Sequence, residues 1–107
     1  MSPNAQPEPP AGLSPLALQL WQSICAESTI DAAAAKILAT LCQAYDRRQD
    51  ARDAIARDGA VYNDRFGAPK ISPWVAIERD STLIMHRAFR LLGFDQEPRG
   101  AQGELFK

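Results

Sequence analysis

Side chains that could carry out covalent or acid–base chemistry are few in this chain of 107 residues. It has one histidine, His86, and two cysteines, Cys25 and Cys42, both within stretches of helical pattern. A metal site needs several ligands at suitable spacing, and a nucleophilic triad needs a base and an orienting group beside the nucleophile. The sequence also shows no glycine-rich phosphate loop and no nucleophile elbow. We therefore expect a non-enzyme without a metal or other cofactor.

The two cysteines and the hydropathy of the chain indicate where it works. Cysteines within helical patterns are typical of small buried apolar groups in a reducing compartment, and we expect no disulfide. No apolar run approaches the length of a membrane span, and the N-terminus shows no basic-then-apolar signal. We expect a soluble, cytoplasmic protein without membrane contact.

The side chains that remain as candidates for function are the lysines and arginines, which can contact the phosphates of DNA. Lys and Arg number 12 against 13 Asp and Glu, so DNA contact would require cations segregated onto one face. Loop cations near a helix and a basic helical face suit phosphate contacts, but both are also common on solvated surfaces. The candidate DNA-binding residues are Arg48, Arg52, Arg65, Lys70, Arg79, Arg87 and Arg90.

Arg48 and Arg52 are unusual because they fall in an apolar helical row, between Tyr45 and Ile55. One interpretation is that the helix extends past its core and both side chains lie over a hairpin with their charged heads in water. The other is that they face an acidic patch of a partner or DNA phosphates. The opposite face of this helix, with Asp46 on it, is predicted to be solvated.

Caps and periodicity predict the elements that position these cations. Ser14-Pro15 and Ser72-Pro73 are N-cap and first-turn pairs, Asp31 is a further N-cap, and glycines follow two of the helices. We predict a mainly α core over residues 14–94, with helices over 14–27, 31–58 and 73–92 and a β-hairpin over 60–71. The core stripe of the last helix is predicted as Trp74, Ile77, Ile84, Met85, Ala88, Leu91 and Leu92. We expect Tyr62 and Phe66 of the hairpin to pack on the helices; the alternative is stacking on bases.

Both ends of the chain are predicted to lie outside this core. Residues 1–13 contain four prolines and few apolar side chains, which predicts a disordered or polyproline-like arm. A ligand for a proline-reading domain is the alternative for this arm. Residues 95–107 form a tail, and its last four residues are either a docking peptide or without a role.

The helical pattern also predicts self-association. The helix over 14–27 is apolar around its circumference, and the helix over 31–58 would be roughly 40 Å long. About 90 foldable residues are near the lower limit for a comfortable core, so another copy is expected to cover what remains. The candidate interface residues are Leu16, Leu18, Leu20, Trp21, Ile24 and Tyr45.

Taken together, the layout over about residues 32–99 resembles the phage terminase small subunits. The resemblance is carried by the long helix ending at Gly59, the hairpin with Gly67 and Lys70, the helix-opening Pro73, and the later pairs. Those later pairs are Leu92-Gly93 and Pro98-Arg99. Each feature is weak alone, and the specificity comes from their order and spacing.

The resemblance implies a homo-oligomeric ring that engages double-stranded DNA in the bacterial host cell and presents it to the large terminase subunit. The large subunit holds the ATPase and nuclease, and the small one regulates it without catalysis. The candidate docking residues for the large subunit are Glu104, Leu105, Phe106 and Lys107. Many members add a helix-turn-helix domain, whose place is taken here by the proline-rich arm. We therefore expect weak, largely sequence-independent and salt-sensitive DNA binding, as would suit headful packaging or a gene transfer agent.

Two other classes stay open. A small helical DNA-binding regulator would need a short recognition helix after a tight turn, which the long second helix does not suit. A helical adaptor that binds only protein is favoured by the balanced charge. DNA affinity measured against ionic strength separates this adaptor from the DNA-binding classes.

Overall fold

The computed structural model describes residues 6–94, which form three helices and one hairpin. The predicted fold class, mainly α with a β-hairpin between the second and third helices, is confirmed. The tail over residues 95–107, with its candidate docking residues, and residues 1–5 of the arm lie outside the described residues. In chain order the elements are α1 (Pro15–Glu27), α2 (Ala32–Asp58), β1 (Val61–Asn63), β2 (Pro69–Ile71) and α3 (Pro73–Leu92).

Each helix begins at a side chain that accepts a hydrogen bond from an otherwise unpaired backbone N–H. Ser14 Oγ accepts from the N–H of Ala17 at 3.1 Å, and Asp31 Oδ1 accepts from the N–H of Ala34 at 2.8 Å. Ser72 does the same for α3. Such caps contribute about 1 kcal/mol each. They fix where the helices start, and the cap at Ser72 places the beginning of α3 directly after β2.

The α2–α3 pair forms the main contact of the fold. The helices are antiparallel neighbours, and the surfaces buried on them carry many small side chains. These surfaces comprise Ala44, Ala51 and Ala54 of α2 and Ser81, Met85 and Ala88 of α3. Small residues let the two backbones approach closely, so a 20-residue helix can follow a 27-residue one with few large side chains between them.

Helix α1 packs against the first half of α2 and builds the largest apolar cluster. Trp21 is only 2% exposed, and its Nε1 donates to the carbonyl of Pro7 at 3.3 Å. This part of the proline-rich arm therefore lies against α1. The cluster consists of Ala17, Trp21, Ile24 and Cys25 of α1, Leu38, Leu41 and Cys42 of α2, and Ala88 of α3.

A polar clamp fixes α1 on α2. The Asp46 carboxylate accepts a hydrogen bond from the backbone N–H of Ser14 at 2.9 Å and a second one from Ser14 Oγ. The same hydroxyl caps α1, so one side chain of α2 determines where α1 begins. The prediction that the face carrying Asp46 is merely solvated is wrong at this position, because the chain returns to it from 32 residues away.

Both cysteines are free and buried, as the sequence predicts. Burial raises the pKa of the Cys42 thiol to about 11, and the nearby Asp46 and Cys25 add to the shift. Burial also raises the pKa of Cys25. The thiols are therefore held protonated as apolar core groups. Over residues 6–94, none of the helices is both long and apolar enough to cross a membrane.

Replacing Asp46 by Ala should destabilise the fold by about 2 kcal/mol, because two hydrogen bonds to a charged group are removed. The matched control is Asp50→Ala, an exposed carboxylate one turn further along α2, which should change stability by less than about 0.5 kcal/mol. Urea unfolding followed by circular dichroism measures both variants. Equal effects would contradict the clamp.

The Cys42 thiol should make the fold sensitive to alkali. Below the ordinary cysteine pKa the thiol is protonated in both the folded and the unfolded chain, so it adds no pH dependence. As pH rises from about 9 towards 11, the unfolded chain loses the proton first and the folded state loses stability. Urea midpoints at about pH 8 and about pH 10 should therefore fall less for Cys42→Ala than for the wild type. An identical fall would show that the thiol ionises equally in both states.

Candidate nucleic-acid interface

The hairpin is organised by its own loop. The strands pair antiparallel, with Val61 opposite Ile71 and Tyr62 opposite Lys70. Asp64 Oδ1 accepts hydrogen bonds from the backbone N–H groups of Phe66 and Ala68, at 2.8 and 3.0 Å. The Asp64 carboxylate is therefore hydrogen-bonded to backbone amides of the same loop.

All six residues of the two strands are exposed. At the loop, Phe66 is 80% exposed, and Ile71 on β2 is 72% exposed. The expectation that Tyr62 and Phe66 pack on the helices is therefore wrong. The reason is that α2 ends just before β1 and α3 begins just after β2, so the hairpin lies beyond both helix ends and neither helix runs across it.

Two of the candidate cations lie on this projecting hairpin. Lys70 is exposed on β2. The Arg65 guanidinium carbon lies 4.9 Å from the centre of the Phe66 ring, a cation–π contact that leaves both side chains facing solvent. The hairpin therefore presents positive charge and an exposed aromatic ring together, which can contact phosphates and bases.

Two candidates on the adjoining helices form ion pairs within the chain. Arg52 Nε lies 2.8 Å from Glu78 Oε2, which joins α2 to α3. Arg79 Nε lies 3.3 Å from Asp80 Oδ1. Both pairs are exposed, so they partly neutralise the cations without burying them and contribute at most about 1 kcal/mol each.

One interpretation of the sequence places the Arg48 and Arg52 side chains over the hairpin. In the structure, Arg48 packs instead on the Tyr45 ring of its own helix. Its guanidinium carbon is 5.7 Å from the centre of the Tyr45 ring, one turn earlier on α2. Its Nε is buried, and within residues 6–94 it has no hydrogen-bond partner. Arg52 bonds to α3. Arg48 is therefore partly enclosed and offers less charge to a ligand than the hairpin cations.

Arg87 and Arg90 are exposed towards the far end of α3. Arg87 follows Arg79 by two turns, about 12 Å along the helix axis. The structure therefore divides the seven candidates, with Arg65 and Lys70 at the hairpin and Arg87 and Arg90 at the opposite end of the α2–α3 pair.

The candidate interface residues on α1 and α2 fall into two groups, one buried in the chain's own core and one with surface left for a partner. Trp21 and Ile24 lie in the chain's own core, so they have little surface to offer. Leu16 is 54% exposed, and Leu18, Leu20 and Tyr45 are half-buried. The prediction that Trp74 and Leu91 belong to the core stripe of α3 is wrong, because they are 37% and 70% exposed. Leu83, two turns before Leu91, is also exposed, at 48%.

The comparisons with known proteins decide the family. The family model for the phage terminase small subunit matches residues 17–104. This chain belongs to the phage terminase small subunit family. The match begins within α1 and includes α2, the hairpin and α3, and membership supports a role in phage DNA packaging. No curated protein and no solved structure matches this chain.

No metal-binding cluster is formed within residues 6–94, where no three His, Cys, Asp or Glu side chains are placed to hold an ion. His86 is exposed on α3.

Phe66→Ala should change the stability of this small terminase subunit by less than about 0.5 kcal/mol, because the ring is exposed. Met85→Ala, which removes a side chain that is 4% exposed, should cost about 2 to 5 kcal/mol. Urea unfolding compares them. A large decrease in stability for Phe66→Ala would show that the ring packs on the helices after all.

Proposed function

We propose that this chain binds double-stranded DNA weakly and largely without sequence preference, and recruits and regulates the large terminase subunit during DNA packaging into capsids. The observation that carries the proposal is the family match over residues 17–104. In this proposal the chain acts in the cytoplasm of the bacterial host as a homo-oligomeric ring and has no catalytic activity of its own.

The hairpin supports the DNA-binding part of the proposal. Arg65 and Lys70 are exposed, and the neighbouring loop carboxylate, Asp64, is held by loop amides. Phosphate contacts made by such side chains carry no sequence information. Phe66 beside Arg65 adds a ring that can stack on a base regardless of its identity. This combination favours weak, salt-sensitive binding.

Recruitment of the large subunit is supported by the family alone. The last four residues, Glu104 to Lys107, remain the predicted docking segment. They lie beyond Phe94, where the described part of the chain ends, so their role rests on the sequence.

A second candidate, a helical adaptor that binds only protein, is favoured by one observation. Val61 and Ile71 form an exposed apolar cross-strand pair, 56% and 72% exposed, on the hairpin. Exposed apolar surface of this kind is typical of protein–protein contacts. The two candidates differ in whether the chain binds DNA at low ionic strength.

Removing the hairpin cations tests the DNA role. The double variant Arg65→Ala, Lys70→Ala should weaken DNA binding by a similar factor for unrelated duplex sequences. It should also lower the slope of log affinity against log salt by about 1 for each phosphate that the variant no longer neutralises. The matched control, Arg47→Ala with Arg57→Ala, removes the same charge from exposed positions on α2 that are not candidates for DNA contact, and it should leave the slope unchanged.

Fluorescence anisotropy with two unrelated duplexes over a salt series gives both quantities. Wild-type binding that is tight for one sequence and persists at high salt would overturn the proposed mode. Absence of binding at low salt would favour the protein-only adaptor.

A further inference from the structure

We propose that the groove between α2 and α3 receives helix α1 of a neighbouring copy, so that the ring closes through a head-to-tail contact. This inference rests on the assembly into a ring proposed above and assigns the two surfaces that form it. One surface is the outer row of α1, and the other is the α2–α3 groove.

The groove is apolar and open. It has a volume of about 230 Å³ and is lined by Ile37 and Thr40 of α2 and by Ile84, Arg87, Ala88 and Leu91 of α3. Leu91 is 70% exposed. A groove of this kind between two helices is suited to the apolar row of a third helix.

Helix α1 carries an outer row that begins with two leucines and ends with two polar residues. Leu16, Leu20, Ser23 and Glu27 recur at helical spacing. Leu16, Ser23 and Glu27 are exposed, and Leu20 is half-buried against the chain's own core. Leu16 is 54% exposed. The helix has 13 residues, about 20 Å, which is long enough to lie along the groove.

The charges of the two surfaces are complementary. Arg87 lies in the groove and Lys36 lies one turn before Thr40 on α2, and within residues 6–94 neither has an ion-pair partner. Glu27 also has none in this part of the chain, and it ends α1, where the helix dipole disfavours a negative charge. A cation supplied by the groove of another copy would offset that cost.

The groove lies beside the chain's own α1 on the α2–α3 pair. Ile37 and Ala88 line the groove and also contact the cluster that holds α1. Cys42 contacts that cluster, and Thr40, two residues and roughly 200° earlier on α2, lines the groove. Each copy therefore shows a donor helix and, next to it, a separate acceptor groove. Such unlike surfaces give a head-to-tail contact, which closes into a ring when the rotation allows.

A single substitution tests the acceptor surface. Leu91→Asp places a charge in the groove and should reduce the mass measured by light scattering towards that of one chain. The matched control is Ile71→Asp on the hairpin, since its side chain is 72% exposed against 70% for Leu91. It should keep the wild-type mass. Far-UV circular dichroism confirms that both variants keep their helices.

A crosslinking experiment tests the pairing itself. Ser23→Cys lies on the outer row of α1, Thr40→Cys lies in the groove, and both native cysteines are buried. With a short bismaleimide, the double variant should give a ladder of covalent oligomers, whereas the wild type and each single variant should give none.

The outcomes separate this inference from the proposed function. A Leu91→Asp variant with the wild-type mass, or covalent dimers from either single cysteine variant, would overturn the head-to-tail assignment. A reduced mass in Ile71→Asp alone would move the interface to the hairpin and overturn it as well. In each case, DNA binding with an unchanged salt slope would leave the proposed packaging role standing.

Discussion

The constraint on which this structure depends is that α2 is too long for the chain that must cover it. Its 27 residues span about 40 Å, against about 30 Å for α3 and about 20 Å for α1. Helix α3 covers one side of α2, and α1 covers only its first half on another. In that same half of α2 the groove lined by Ile37 and Leu91 is left open beside α1, and the hairpin projects beyond the far end of α2. These are the two surfaces that the chain leaves available for partners.

Directional contacts hold the helices in this incomplete arrangement. The cluster around Trp21 and Leu41 supplies most of the apolar burial, but apolar burial alone does not fix where one helix begins on another. That position is set by Asp46, which holds Ser14, and the two long helices are tied by Arg52 and Glu78. The first contact is partly buried and the second is exposed, so the clamp at Asp46 is expected to contribute more to stability.

Local signals in the sequence predict much of the fold because its elements are set by local physics. Ser14-Pro15 and Ser72-Pro73 begin helices, and Gly93 adopts the left-handed conformation that ends α3. Tertiary placement is not encoded in this way. The period of α3 assigns Leu91 to the apolar stripe, but whether a side of the helix is covered depends on the path of α1, and Leu91 is left exposed. For the same reason no local signal shows that Asp46 meets Ser14.

For the candidate site, too, the sequence predicts the local features but not the contacts between elements. The charges of Arg65 and Lys70 and their position on a hairpin are predictable, since turn residues mark the loop. The sequence does not reveal that Arg52 and Arg79 are paired, because Glu78 reaches Arg52 only when α3 folds back along α2. It also misplaces Tyr62 and Phe66, since Phe is among the residue types most often buried and Tyr is commonly at least partly buried. The hairpin is therefore better suited to contacts than the sequence alone indicates.

The most direct test of this account is the mass of the wild-type chain in solution at micromolar concentration, measured by light scattering. The account predicts a single species several times the 11.7 kDa of one chain, because the uncovered side of α2 and α3 needs another copy. A stable species of one chain's mass would contradict it, since the groove and the outer row of α1 would then remain in water at no evident cost.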